Sequence, residues 1–147
     1  ADGKTLYWLA MERAGFEADR FAIMAVDLQS GEKREVAPDW DRSASGLVES
    51  PDGRTLYTAS DDWGNHALFA VDVRSGKVRK LVGDGSVKGF DAGAKGLVFN
   101  RQDWQHPSDL YRIDARGKGM NSTDPTMNVR WQGISRAAVR AGRIPRK

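Results

Sequence analysis

Residues 50–82, SPDGRTLYTASDDWGNHALFAVDVRSGKVRKLV, alternate short apolar runs with turn formers. The runs Thr55-Leu56-Tyr57-Thr58-Ala59 and Ala67-Leu68-Phe69-Ala70-Val71-Asp72-Val73 are rich in β-branched and aromatic residues. Both are bounded by Gly, Asp, Asn and Ser, the composition of strands rather than of an amphipathic helix. Asp52-Gly53 supplies a residue tolerant of positive φ where the chain must reverse before Arg54. Ser75-Gly76 places a glycine at the end of a short hairpin loop, where the left-handed residue of a three-residue turn belongs. With Gly46-Leu47-Val48-Glu49 as inner strand and residues 77–82 as outer strand, two successive hairpins make a four-stranded meander.

The unit recurs. ADGKTLYWLA (residues 1–10) matches PDGRTLYTAS (51–60), and MAVDLQSGEKREV (24–36) matches FAVDVRSGKVRKL (69–81). A weaker third copy runs through GAKGLVFNRQDWQ (93–105) and DLYRIDARGK (109–118), with an inner strand expected over residues 86–91. The matched Asp27, Asp72 and Asp114 stand 45 and 42 residues apart, within the ~40–50 residues of one propeller blade. The expectation is an all-β chain, an incomplete β-propeller of about two and a half four-stranded blades. The blades are expected over residues 1–42, 43–83 and 84–118, the first without an inner strand. After Asp114 the pattern dissolves, and residues 119–147 read as an irregular or short-helical basic tail. A closed propeller uses about 4–8 blades, so three copies are too few to complete a ring.

Composition sets the outer limits. The chain has 147 residues, 39% hydrophobic and 29% charged, the balance of a globular chain with enough length for one core. No apolar run approaches the ~20 residues of a spanning helix, so no membrane partner is expected. The absence of cysteine excludes disulfides, thiolate chemistry and cysteine-ligated zinc, and it fits the cytoplasm and the bacterial periplasm equally. The chain does not begin with Met and no signal-like segment precedes Asp2, so it reads as mature, trimmed or excised. Residues 119–147 hold Arg130, Arg136, Arg140, Arg143, Arg146 and Lys147 against Asp124, a balance of +5, which leaves −2 for residues 1–118. A basic stripe is the footprint of nucleic-acid binding. Here it comes without a nucleic-acid fold and with Trp131 alone to stack on a base, so a divergent terminus or a reading-frame artefact accounts for the tail better than nucleic acid does.

The blade pattern resembles the repeats of the prolyl oligopeptidase family of serine peptidases. The match extends to YWLAMERAGFEADRFAIMAVDLQSGEKREV and WDRSASGLVESPDG, which are similar to the N-terminal propeller of its bacterial acylaminoacyl-peptidase and dipeptidyl-peptidase branch. The resemblance covers residues 1 to 116. The blade motif alone is shared with TolB and other propellers, and the run around Phe16-Glu17-Ala18-Asp19-Arg20 favours the peptidase. The resemblance implies a propeller that gates and orients peptide substrates for a hydrolase domain of the same parent chain, one carrying a Ser-Asp-His triad. It also leaves a TolB-like scaffold for protein–protein interaction as the alternative.

No catalytic residue is assigned. The nearest approach to a G-x-S-x-G elbow, Gly133-Ile134-Ser135-Arg136-Ala137, has alanine where the second glycine would allow the tight turn. His66 and His106, expected in loops between strands, both precede Ser135. Glu12, Arg13, Glu17, Asp19 and Arg20 crowd the loop between the first two strands and are the candidate substrate-binding residues; in dipeptidyl-peptidase relatives propeller acids can hold the free amine of the substrate, but no motif of the family matches exactly here, so no known binding residue is carried over. A solvated, salt-bridged hairpin loop is the simpler reading of the same cluster. Asp61-Asp62-Trp63 and Gln102-Asp103-Trp104 recur with His66 and His106 just beyond. Two histidines without ligand spacing argue for no metal and no cofactor. Tryptophans that recur once per blade are expected to fill space between sheets, and Trp40 is expected to do so at the next link. Unpaired sheet edges should favour self-association.

Overall fold

The computed structural model describes residues 3–119 and 121–122. These residues form three antiparallel meanders and no helix. The first joins β1 (Thr5–Ala10), β2 (Ala22–Asp27) and β3 (Lys33–Glu35). The second joins β4 (Ser45–Glu49), β5 (Thr55–Asp62), β6 (Asn65–Asp72) and β7 (Val78–Val82). The third joins β8 (Ser86–Gly93), β9 (Gly96–Gln102), β10 (Asp109–Ile113) and β11 (Asn121–Ser122). A parallel bridge between His66 and Ser86 ties the second meander to the third. The architecture is an incomplete β-propeller of about two and a half blades, in which the first meander lacks an inner strand among the described residues.

The strands form where the alternation of apolar and turn residues puts them, with three differences. His66 lies inside β6, and Asp61 and Asp62 inside β5, because the β5–β6 reversal is a two-residue turn rather than a longer loop. The outer turns of the first two blades are four-residue loops rather than three-residue ones, whereas that of the third, closed by Asp114 N–H on the Lys118 carbonyl, keeps three residues. Asp27 Oδ1 accepts from the N–H groups of Gln29 and Ser30 at 2.9 and 2.7 Å, winding the loop helically. The left-handed Gly31 (φ 75°) then donates to the Asp27 carbonyl at 2.8 Å. Third, the blade pattern does not stop at Asp114: Tyr111 and Arg112 pair with Ser122 and Asn121. The remainder of the basic tail, with Ser135 and the expected short helix, lies outside the described residues.

Burial explains the order of the meanders. In a strand successive side chains point to opposite faces, and both faces of β5 and β6 are buried. Leu56 and Val71 pack with Ile23, Ala25, Val36 and Ala37 of the first blade and with Ala44 of the link that follows it. Tyr57, Leu68 and Ala70 pack with Val87, Leu97, Phe99 and Ile113 of the third. Trp40, on the link between the first two blades, meets Phe69 edge-on at 5.3 Å, which is the inter-sheet role its position predicts.

The repeat also shows where packing ends. Leu56 and Leu97 are 1% and 0% exposed because each faces the preceding blade, whereas the matching Leu6 is 54% exposed. Tyr57 is buried against the following blade, whereas the matching Val98 is 41% exposed. The same sequence position is therefore core in the middle of the fan and surface at its ends.

Candidate functional site

A meander of this type divides its connections between two rims. One rim collects the reversals after inner strands and the outer turns. The other collects residues 11–21, the links 36–44 and 83–85, the β5–β6 turn and the β9–β10 loop 103–108. Chemistry separates them. Segments 11–21, 35–44, 61–66, 80–85 and 101–109 carry eleven carboxylates against five Lys or Arg. The opposite rim, Lys4 with segments 27–34, 49–54, 72–79, 91–95 and 112–118, carries seven against eleven.

The candidate substrate-binding residues all lie on the acidic rim, but the structure divides them. Arg13 and Asp19 form a two-pronged pair, with Nη2 to Oδ1 at 2.5 Å and Nε to Oδ2 at 3.2 Å. The Arg13 N–H also donates to Asp19 Oδ2 at 2.8 Å, and the guanidinium lies 4.0 Å over the Phe16 ring. These contacts, led by the Arg13 side chain, hold the Asp19 carboxyl below its ordinary range. Arg20 Nη2 donates to Glu35 Oε1 on β3 at 2.6 Å. Arg13, Asp19 and Arg20 thus brace the loop, while Glu12 and Glu17 project from it as exposed carboxylates.

Two further charged groups brace the rim in a way composition alone does not display. Asp62, at the end of β5, is buried between Arg42 of the inter-blade link and Lys80 of β7. Arg42 Nη2 lies 2.7 Å from Asp62 Oδ1 without the orientation of a hydrogen bond, so this contact is a charge pair. In the third blade Arg101 is buried and donates to the Asp84 carbonyl and carboxylate, each at 2.7 Å, and to Asp103 at 3.1 Å. Burial alone would raise the Asp103 carboxyl. The N–H of Gln105 and the ring and N–H of His106 outweigh burial and hold the carboxyl low. Asp61 pairs with His66 at 2.8 Å, and Asp103 with His106 at 2.9 Å. Among the described residues no cluster of three metal-ligating side chains occurs.

The tryptophans correct a sequence expectation. Trp63 is 92% exposed and Trp104 fully so; neither fills space between sheets. Each sits at the tip of a reversal on the acidic rim, where the ring has no neighbouring sheet to meet. Trp63 also has φ 51°, and with Gly64 at φ 81° it makes a two-residue turn of type I′, for which Asn, Asp or Gly is the favoured first residue. The recurrence of Asp-Trp was legible in the sequence; its outward direction was not, because buried and displayed tryptophans give the same repeat.

No family model matches the chain. Dipeptidyl-peptidase 5 of Porphyromonas gingivalis is 27% identical over 116 residues, 78% of this chain. A probable dipeptidyl-peptidase 5 of Arthroderma benhamiae is 36% identical over 124 residues, 80% of this chain. The chain spans 17% of the length of each of these curated relatives. Among solved structures, Pyrococcus horikoshii acylaminoacyl peptidase superposes with a TM-score of 0.72 at 18% identity, over 91% of this chain and 20% of that one. A putative TolB from Agrobacterium tumefaciens superposes with a TM-score of 0.66 at 21% identity, over 82% of this chain and 45% of that one. The structural likenesses establish the propeller fold, which both kinds of protein share; the sequence relatives separate them. The chain belongs to the prolyl oligopeptidase family, as a portion of its β-propeller.

Proposed function

We propose that this chain is a non-catalytic propeller segment, with blades over about residues 1–42, 43–83 and 84–118, that gates and orients peptides for a hydrolase domain elsewhere in its parent protein. The observation that carries the reading is the placement of the charged loops. The second and third blades are entered at their inner strands on the acidic rim, and the first and second are left there after their outer strands, so a domain joined to such a propeller connects on that rim. The side facing a joined hydrolase domain is therefore the side carrying Glu12, Glu17 and the exposed indoles. In this reading the exposed Glu12 and Glu17 attract the amine of a peptide, while the Arg13–Asp19 pair keeps their loop in position.

Peptide cleavage itself would come from the hydrolase domain, since no nucleophile elbow occurs in this sequence. The test uses the isolated chain and a chimera in which it replaces the aligned segment of the Porphyromonas gingivalis relative. The isolated chain should neither hydrolyse dipeptidyl chromogenic substrates nor react with a serine-directed fluorophosphonate, whereas the folded chimera should do both. Turnover by the isolated chain would overturn the reading. A TolB-like scaffold for protein–protein interaction is the second reading, supported by the 0.66 TM-score to TolB; it expects a stable partner and no effect on peptide turnover in the chimera.

A further inference from the structure

We infer that the acidic rim binds cationic, extended polypeptide, with lysine or arginine side chains on the indole faces of Trp63 and Trp104. This names the charge class of polypeptide for the rim assigned above and rests on that assignment.

Two observations converge on it. The first is the display of the rings. The largest apolar side chain in the protein alphabet is held almost fully in water at matching positions of two adjacent blades. His66 pairs with Ser86 and Ser86 with Gln102, so His66 and Gln102, at the feet of the two tips, lie about two strand spacings, ~10 Å, apart. An extended peptide covers that distance in about three residues. The second is charge. Asp61 and Asp84 are largely exposed beside these tips, with side chains 95% and 74% accessible, on a rim where carboxylates outnumber cations eleven to five. An indole face attracts an ammonium or guanidinium, and Trp does so best among aromatic rings. Neighbouring carboxylates would repel an acidic peptide and do nothing for a neutral one.

The experiment titrates the full 147-residue chain with oligolysine, oligoglutamate and a glycine–serine peptide of equal length, following tryptophan fluorescence and, independently, calorimetry. Oligolysine should bind, more weakly as salt rises from about 0.05 M to about 0.5 M, and the other two should not. Trp63→Asn and Trp104→Ala should each weaken oligolysine binding about two- to fivefold, and together about five- to twentyfold. Asparagine suits the left-handed backbone at position 63, so that variant keeps the fold, which its melting curve checks. Equal binding of the three peptides, or unchanged oligolysine affinity in the double variant, would overturn the inference. If the isolated chain binds no peptide while the chimera still selects peptides by length, this inference fails and the proposed function stands.

Discussion

Trp63→Asn should stabilise the protein although it deletes the bulk of a large side chain. The left-handed region costs a non-glycine residue about 1–2 kcal/mol, and Trp63 sits there at φ 51°. Asparagine tolerates that region and is the favoured first residue of a type I′ turn. Against the gain stands whatever burial the indole keeps. It is 92% exposed; with about 150–250 Å² as the area an aromatic side chain can bury, the remainder is worth at most about 0.5 kcal/mol. The net is a stabilisation of about 0.5–1.5 kcal/mol, or roughly 2–5 °C in Tm for a chain of this length. Urea denaturation followed by circular dichroism measures it, with an unchanged slope confirming that the same surface unfolds. A loss of more than about 1 kcal/mol would refute the reasoning, because it would require a packing partner for the ring.

Four turn aspartates set an acid limit. Asp27, Asp72 and Asp114 are held below the ordinary carboxylate range, first by the backbone N–H of Ser30, Ser75 and Lys118 respectively, and Asp52 first by the Ser50 hydroxyl. Their contribution is therefore full above the unfolded carboxylate range and lost as pH falls through the lower folded values; Asp72→Asn should flatten that acid limb in pH-dependent denaturation. Gly76→Ala should cost about 2–4 kcal/mol, because a Cβ there would lie 2.5 Å from the Val36 carbonyl of the preceding blade as well as at φ 70°. At the matching Gly31 nothing lies within 4 Å, so Gly31→Ala should cost only the backbone term, about 1 kcal/mol. Light scattering should show association that grows with concentration, since Leu6 and Val98 remain exposed at the two ends of the fan and the sheets have edge strands; a monomer at all concentrations would oppose this.

Much of the fold was legible because the determinants are local. Leu56-Tyr57 sends adjacent residues into two different inter-blade cores, and Asp72 with Ser75 and Gly76 encodes an outer turn; both patterns stand in the sequence and recur. The charged loop was legible as a location, with Glu12, Arg13, Glu17, Asp19 and Arg20 on one rim. What the sequence does not display is pairing across blades. Arg42 reaches Asp62 over a link, and Lys80 reaches the same carboxylate from the outer strand. The matching outer-strand position, Glu35, serves Arg20 with the charges reversed, so no conserved residue type marks the contact within the repeat. Exposure was the other hidden variable. Trp40 and Trp63 both stand beside aspartates, yet one packs on Phe69 and the other faces water, a difference that depends on where the neighbouring sheet lies.

The most direct test of the account concerns selection by length. In the chimera with the Porphyromonas gingivalis relative, hydrolysis of a short peptide and of a long unfolded polypeptide carrying the same cleavage sequence should be compared with the same pair of rates for the unmodified relative. A propeller segment that gates access predicts a ratio strongly in favour of the short peptide in both proteins. A folded, active chimera that cleaves the two substrates equally would contradict the claim that this rim governs what reaches the hydrolase domain.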